Sequence, residues 1–126
     1  MDPVTSLVER YFEVWNETDV DQRTELIATA WHEDAEYVDP LLSGNGHEGI
    51  NEMVAGVHSQ YPGYRFRLAG PVDHYNGKIR FSWEIVTPDE SEAVVEGIDF
   101  GVIDNDGRLR SITGFIDKAP ESIVAG

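Results

Sequence analysis

Residues 50–68, INEMVAGVHSQYPGYRFRL, contain the change of hydrophobic period that decides the fold. Apolar side chains recur every three or four residues up to Tyr61, a spacing that is typical of an amphipathic helix. Pro62-Gly63 ends this pattern, and over residues 64–68 apolar residues alternate with arginines, as they do in a strand. The sequence therefore predicts helices before Pro62-Gly63 and strands after it.

Two more helices are predicted ahead of this one. An Asp-Pro pair favours a helix start, and the apolar spacing predicts a helix over residues 3–17. Asp19 is the expected N-cap of a second helix. The apolar face of that second helix is formed by Leu26, Ile27, Ala30 and Trp31. Residues 36–38 are then a short strand-like run, and residues 41–49, which contain three glycines, predict a loop.

The second half of the chain predicts an antiparallel meander. Its strands are expected over residues 64–68, 79–85, 93–104 and 108–117, with hairpin turns at Asn76-Gly77 and Asn105-Asp106-Gly107. Residues 118–126 are expected to be a loose tail. Helices followed by a meander indicate an α+β fold, in which three N-terminal helices pack on one face of a mostly antiparallel sheet. We expect a single domain over residues 1–126.

The charge and composition exclude several classes of function. The 126 residues include 24 acidic and 9 basic side chains, so the formal net charge is −15. Such a field repels nucleic acids and anionic lipid surfaces, and we expect neither as a partner. The absence of cysteine excludes disulfides, thiol catalysis and cysteine zinc sites. With no apolar run of about 20 residues and no signal-peptide pattern, the expected location is cytoplasmic.

Three polar residues lie where the periodicity predicts burial. Tyr11 is in the apolar stripe of the first helix, where a core tyrosine with a bonded hydroxyl is the simpler interpretation. Asp39 follows an apolar strand and precedes Pro40, and a turn aspartate would explain it. Asp99 is the least expected, because aspartate is disfavoured in the middle of a strand. A carboxyl group there must be paired, hydrogen-bonded or protonated.

No metal ion or organic cofactor is predicted. His32, Glu33 and Asp34 are adjacent, and neighbouring residues of a helix do not face one ligand together. The acidic stretch over residues 104–107 lacks the distal glutamate of a calcium loop, and a hairpin turn explains it.

The chain from residue 4 to 117 resembles the nuclear transport factor 2-like superfamily, in its SnoaL-like and ketosteroid isomerase branch. The matching segments are Leu7-Val8-Glu9-Arg10-Tyr11, Trp31-His32-Glu33-Asp34-Ala35, Val38-Asp39-Pro40, Gly97-Ile98-Asp99-Phe100 and Asp106-Gly107-Arg108-Leu109, which leads to Gly114-Phe115. The resemblance implies a cystatin-like roll, in which a strongly curved sheet and three helices enclose a conical pocket. It also implies a homodimer that pairs through the outer face of the sheet.

The resemblance to ketosteroid isomerases also implies roles for the three unusual residues. The aspartate before a proline is the general base in those enzymes, which corresponds to Asp39. A helix tyrosine and a protonated strand aspartate donate hydrogen bonds to the developing enolate oxygen, which corresponds to Tyr11 and Asp99. A carboxylic acid that an apolar site keeps neutral is a known property of this same enzyme family. The implied activity is a cofactor-independent isomerase that moves a proton on a hydrophobic ketone.

The residues expected to line the pocket are Trp15, Val54, His58, Phe66, Trp83 and Phe115. His58 also fits a core histidine with a bonded ring. Together with Trp83 it makes the pocket more polar and crowded than a steroid site, which leaves the substrate open. Two other functions fit the same fold: a polyketide cyclase-like enzyme, and a non-catalytic module for hydrophobic-ligand binding or dimerisation.

Overall fold

The computed structural model describes residues 2–120. Its helices and strands follow in the order α1 (Pro3–Asn16), α2 (Val20–Ala30), β1 (Trp31–Val38), β2 (Ser43–Asn45), α3 (Gly46–Gln60), β3 (Arg65–Tyr75), β4 (Lys78–Val86), β5 (Ala93–Ile103) and β6 (Leu109–Lys118). The change from helices to strands after Pro62 is confirmed. No helix in this part of the chain is both long and apolar enough to cross a membrane.

Side-chain caps fix the starts of the first two helices. The Asp2 carboxylate accepts the backbone N–H of Val4, and Pro3 occupies the first turn of α1. The Asp19 carboxylate accepts the N–H groups of Asp21 and Gln22, each at 2.9 Å, at the start of α2. Both caps agree with the sequence prediction.

The six strands form one sheet in the order β2-β1-β6-β5-β4-β3. All neighbours are antiparallel except β1 and β6, which run parallel. The register is interrupted in β3, β4, β5 and β6, and such interruptions bend a sheet. The α+β class with a mostly antiparallel sheet is therefore confirmed.

The core lies between the helices and the inner face of the sheet. Helix residues such as Leu7 and Trp15 meet strand residues such as Ile79 and Phe81 in one buried cluster. Strand alternation places other residues on the outer face, where Phe115 is 55% exposed. The site described below lies between this inner face and the helices.

Several local predictions differ from the structure, and the strand expected over residues 64–68 extends to Tyr75 in β3. Trp31, expected on the face of the second helix, is the first residue of β1, because it pairs with Leu109 far along the chain. The predicted loop over residues 41–49 contains β2 and the first turn of α3. Residue 118 belongs to β6 and not to a loose tail, while residues 121–126 lie outside the described part of the chain.

Candidate active site

A cavity of about 490 Å³ lies between the helices and the inner face of the sheet. This volume is within the usual range of small-molecule sites. Its walls are mostly aromatic and aliphatic, with Trp15, Phe66 and Tyr61 among the lining residues. Two carboxyl groups, from Asp39 and Asp99, are also part of the lining. The cavity therefore combines an apolar wall with a small acidic polar cluster.

Asp99 is almost completely buried and accepts hydrogen bonds from two aromatic side chains. The Tyr11 hydroxyl donates to Oδ2 at 2.6 Å, and the Trp83 indole N–H donates to Oδ1 at 2.8 Å. Trp83 lies directly across from Gly97, and a side chain at Gly97 would collide with the indole ring. The glycine in the strand therefore makes room for the ring that holds Asp99.

Burial is the main reason that the pKa of Asp99 rises to about 7. The charge of Asp39 acts in the same direction, while the hydrogen bonds from Tyr11 and Trp83 oppose it. Burial and the Asp99 charge also raise the pKa of the Tyr11 hydroxyl well above its usual value. The predicted burial of Asp99 is confirmed, and the structure also brings its carboxyl group into contact with Tyr11. A protonated Asp99 is thus accessible near neutral pH.

Asp39 is half-buried at the cavity wall and is held by three donors. Its Oδ1 accepts the backbone N–H groups of Leu41 and Leu42 at 2.7 and 2.8 Å. Its Oδ2 accepts the hydroxyl of Tyr37 at 2.6 Å. No lysine, arginine or histidine in residues 2–120 forms an ion pair with it. The turn expected from an aspartate before a proline is therefore combined with access to the cavity.

Tyr37 is a site residue that the sequence reasoning missed. It lines the cavity, and burial together with the charges of Asp99 and Asp39 raises the pKa of its hydroxyl well above the usual value. Its position two residues before Asp39 was the available signal, because residues two apart in a strand share a face. Leu41 and Leu42 were also missed as cavity residues, since they follow Asp39 in a segment expected to be only a loop.

The structure places three of the six expected wall residues at the cavity. Trp15, Phe66 and Trp83 line it, and the rings of Trp15 and Phe66 stack with centroids 4.8 Å apart. Val54 is fully buried in the core instead. The structure therefore brings Tyr11, Asp39 and Asp99 together with half of the expected wall.

His58 and Phe115 lie away from the cavity for different reasons. Nε2 of His58 lies 2.6 Å from the Trp15 carbonyl oxygen, and Nδ1 lies 3.4 Å from Arg23, so its ring contacts other helices as a bonded core histidine would. Phe115 is on the outer face of β6, because strand alternation places its neighbour Gly114 on the inner face.

The charged side chains that line this cavity within residues 2–120 are all acidic. The lining residues within the described chain include two aspartates and no lysine, arginine or histidine. No group of three or more histidine or acidic side chains in residues 2–120 is arranged to hold a metal ion. The polar lining includes the groups of acid–base chemistry: two carboxyl groups, from Asp39 and Asp99, and the hydroxyls of Tyr11 and Tyr37 that are bonded to them.

Comparison with solved structures identifies close and distant relatives. A candidate isomerase of the SnoaL-like family from Agrobacterium tumefaciens is 38% identical, with a TM-score of 0.87 over 93% of this chain and 99% of that one. A candidate polyketide cyclase from Sinorhizobium meliloti is 13% identical, with a TM-score of 0.67 over 90% and 99% of the two chains. A protein of cystatin-like fold from Methylobium petroleophilum, 13% identical, has a TM-score of 0.73 over 94% of this chain and 78% of that one. The two distant structures show the fold alone.

The family model agrees with the first of these structures. No curated protein matches the chain. The model described as the SnoaL-like domain matches residues 8–112, which is most of the sequence and includes Tyr11, Asp39 and Asp99. With the fold, the cavity and the 38% identical relative, this match shows that the chain belongs to the SnoaL-like family.

Proposed function

We propose that this protein is a cofactor-independent isomerase that moves a proton on an uncharged hydrophobic ketone. The observation that carries the proposal is the meeting of Asp39 with the Tyr11–Asp99 pair in one apolar cavity. The name of the 38% identical relative, a candidate isomerase, supports the same reaction class. A polyketide cyclase-like enzyme remains the alternative, and the candidate cyclase among the compared structures, at 13% identity, shares only the fold.

Asp39 is the proposed general base. Its carboxylate would take the proton next to the ketone, so that the C–H electron pair moves toward the carbonyl oxygen and forms an enolate. The protonated Asp39 would then return that proton to another carbon of the same substrate. The backbone N–H groups of Leu41 and Leu42 fix Oδ1, which supports a carboxylate held in one orientation.

Tyr11 and Asp99 are the proposed stabilisers of the enolate oxygen. When Asp99 is ionised, the Tyr11 hydroxyl donates to it. When Asp99 is protonated on Oδ2, it can donate to the Tyr11 oxygen, and the Tyr11 proton is then free to point at a substrate oxygen. The proton on Asp99 would thus switch Tyr11 into a donor for the substrate, a type of stabilisation worth about 10²–10³ in rate.

The cavity charge supports an uncharged substrate. Its lining in residues 2–120 offers two carboxyl groups and no cationic side chain. A substrate carboxylate or phosphate would therefore lie near like charge in a partly dehydrated site. The aromatic walls, including Trp15 and Phe66, provide the apolar contacts for a ring-shaped or aromatic ketone.

The homodimer and the cytoplasmic location are further parts of this proposal. Phe100 and Phe115 are 44% and 55% exposed on the outer face of the sheet, which supports pairing through that face. Light scattering of the purified protein would give the oligomeric state.

Proton exchange into a model ketone tests the proposed activity. In deuterated buffer, the native protein should exchange the proton next to the carbonyl of a β,γ-unsaturated ketone and move its double bond. Asp39→Asn should lower the rate by about 10²–10⁴, because it removes the base. Asp34→Asn, on the exposed side of β1, is the matched control and should keep the native rate.

Three other results would contradict the isomerase. Saturable ketone binding without exchange indicates a binding module. Exchange without movement of the double bond indicates another enolisation enzyme, such as a cyclase. An Asp39→Asn variant with the native rate removes Asp39 from the mechanism.

A further inference from the structure

Gly114 lies between the two carboxyl groups of the site. On one side, Asp99 of β5 is its direct cross-strand partner. On the other side, Val38 of β1 pairs with Thr113, so the next residue, Asp39, comes beside Gly114. Asp99 of β5 and Asp39, which directly follows β1, therefore flank one glycine of β6.

The space above Gly114 is filled by groups of the site. A methyl carbon placed on Gly114 would lie 2.8 Å from Oδ1 of Asp99, 3.2 Å from Cβ of Asp39 and 3.3 Å from the hydroxyl of Tyr37. Gly114 does not have a positive φ, so its backbone does not require glycine. The absence of a side chain is needed for the approach of the three polar residues.

We propose that Gly114 is a positioning residue, whose missing side chain lets Asp39 lie close enough to Asp99 for the charge of Asp39 to favour the protonated form of Asp99. The catalytic consequence rests on the proposed isomerase function. The coupling between the two carboxyl groups can be measured without any substrate.

This coupling would link the two halves of the reaction. While Asp39 is ionised, its charge favours the protonated form of Asp99, which can support Tyr11 as a donor. When Asp39 accepts the substrate proton, its charge disappears and Asp99 becomes a stronger acid. Asp99 and Tyr11 would therefore become stronger hydrogen-bond donors at the step in which the enolate oxygen forms.

Carbon-13 NMR titration of the Asp99 carboxyl group tests the coupling. Asp39→Asn should lower the midpoint of the Asp99 titration by about half a pH unit or more, because it removes a nearby like charge. Glu25→Gln removes the same charge from an exposed position of α2 and should shift the midpoint by less than half as much. No shift with Asp39→Asn, or equal shifts in both variants, would overturn the proposal.

Gly114→Ala then tests the positioning role. The added methyl should move the flexible Asp99 side chain away from Asp39. In the Gly114→Ala protein, Asp39→Asn should therefore shift the Asp99 midpoint by less than half as much as it does in the native protein. Gly56→Ala, whose methyl meets no atom within 4 Å, is the control and should leave the shift unchanged. An unchanged shift in Gly114→Ala, or a variant that does not fold, would overturn the positioning role.

The NMR test of the coupling between Asp39 and Asp99 does not depend on the proposed isomerase activity. A native protein without ketone exchange that still shows the Gly114-dependent shift would refute the isomerase and keep the coupling. A protein that catalyses exchange but shows no shift would keep the isomerase and refute the coupling.

Discussion

At the scale of single residues, the two hydrogen-bond donors to Asp99 determine how much stability a substitution at this position removes. An asparagine in its place would keep an acceptor for the Trp83 indole and offer an N–H group to the Tyr11 oxygen, much as a protonated aspartate does. A leucine offers neither. The hydroxyl of Tyr11 and the N–H of Trp83 would then lie in a buried site without a partner.

Asp99→Leu should therefore lower the free energy of unfolding by about 1–3 kcal/mol for each unpaired donor. Asp99→Asn should stay within about 1 kcal/mol of the native protein at pH 4, where Asp99 is protonated in the folded state and its contribution to stability is nearly full. Urea unfolding of both variants gives the comparison. In the exchange assay, the asparagine variant should also retain more activity than the leucine variant. A leucine variant as stable and as active as the asparagine variant would contradict this account.

The sequence identified Tyr11 and Asp99 because each is polar at a position where the pattern predicts burial. It could not identify Trp83 as the second partner of Asp99, because an inward-facing tryptophan is ordinary in a strand. Tyr37 was hidden for the same reason. Apolar periodicity detects misplaced polar groups, but it does not detect the polar end of an aromatic side chain.

At the scale of elements, a buried arginine joins the three helices behind the cavity. Arg23 of α2 is 2% exposed and donates to the Asn51 amide of α3 at 2.6 Å and to the Glu17 carbonyl after α1 at 2.7 Å. His58 of α3 contacts both Arg23 and the Trp15 carbonyl of α1. This arrangement holds the helix end that carries Trp15 to the cavity wall.

Arg23→Met should lower the free energy of unfolding by about 2–4 kcal/mol, because two acceptors lose a buried partner. Arg67→Met is the matched control: Arg67 also makes a 2.6 Å contact, with Glu84, but its side chain is 46% exposed. Such surface pairs contribute about 0–1 kcal/mol. Denaturant unfolding of the two variants measures the difference, and equal losses would refute the importance of the Arg23 contacts between the helices.

The order of helices and strands was predictable, and the ends of elements were less so. The period change at Pro62 and the Asn76-Gly77 turn, where both residues have positive φ, depend on local sequence alone. The parallel pairing of β1 with β6 joins Trp31 to Leu109, and no local pattern carries that information. The short strand β2 likewise exists because it pairs with β1.

At the scale of the whole molecule, the large negative charge and the buried carboxyl group act together. The net charge of −15 makes every further ionisation less favourable, above all inside an apolar cavity. Most acidic side chains are exposed to water, which solvates their charge and reduces this unfavourable free energy of ionisation. Asp99 does not, because it is 1% exposed.

The stability of the protein should therefore depend on pH through Asp99. The pKa of Asp99 is about 7 in the folded protein and 3.8 for a free side chain, so between these values the folded state binds the proton more strongly than the unfolded state. Its contribution to stability is full below about pH 4 and is lost as the pH rises to about 7. The total is about 4 kcal/mol, at about 1.36 kcal/mol for each pH unit.

Other acidic groups also titrate over this range, so the measurement compares the native protein with Asp99→Asn, which has no ionisable group at this position. The free energy of unfolding of the variant minus that of the native protein should increase from pH 4 to pH 7 and then level off. Urea unfolding at half-unit steps of pH gives the curve. If the difference stays constant, or decreases with pH, Asp99 is not held in its protonated form by the fold. The proposed switch of Tyr11 would then lose its physical basis.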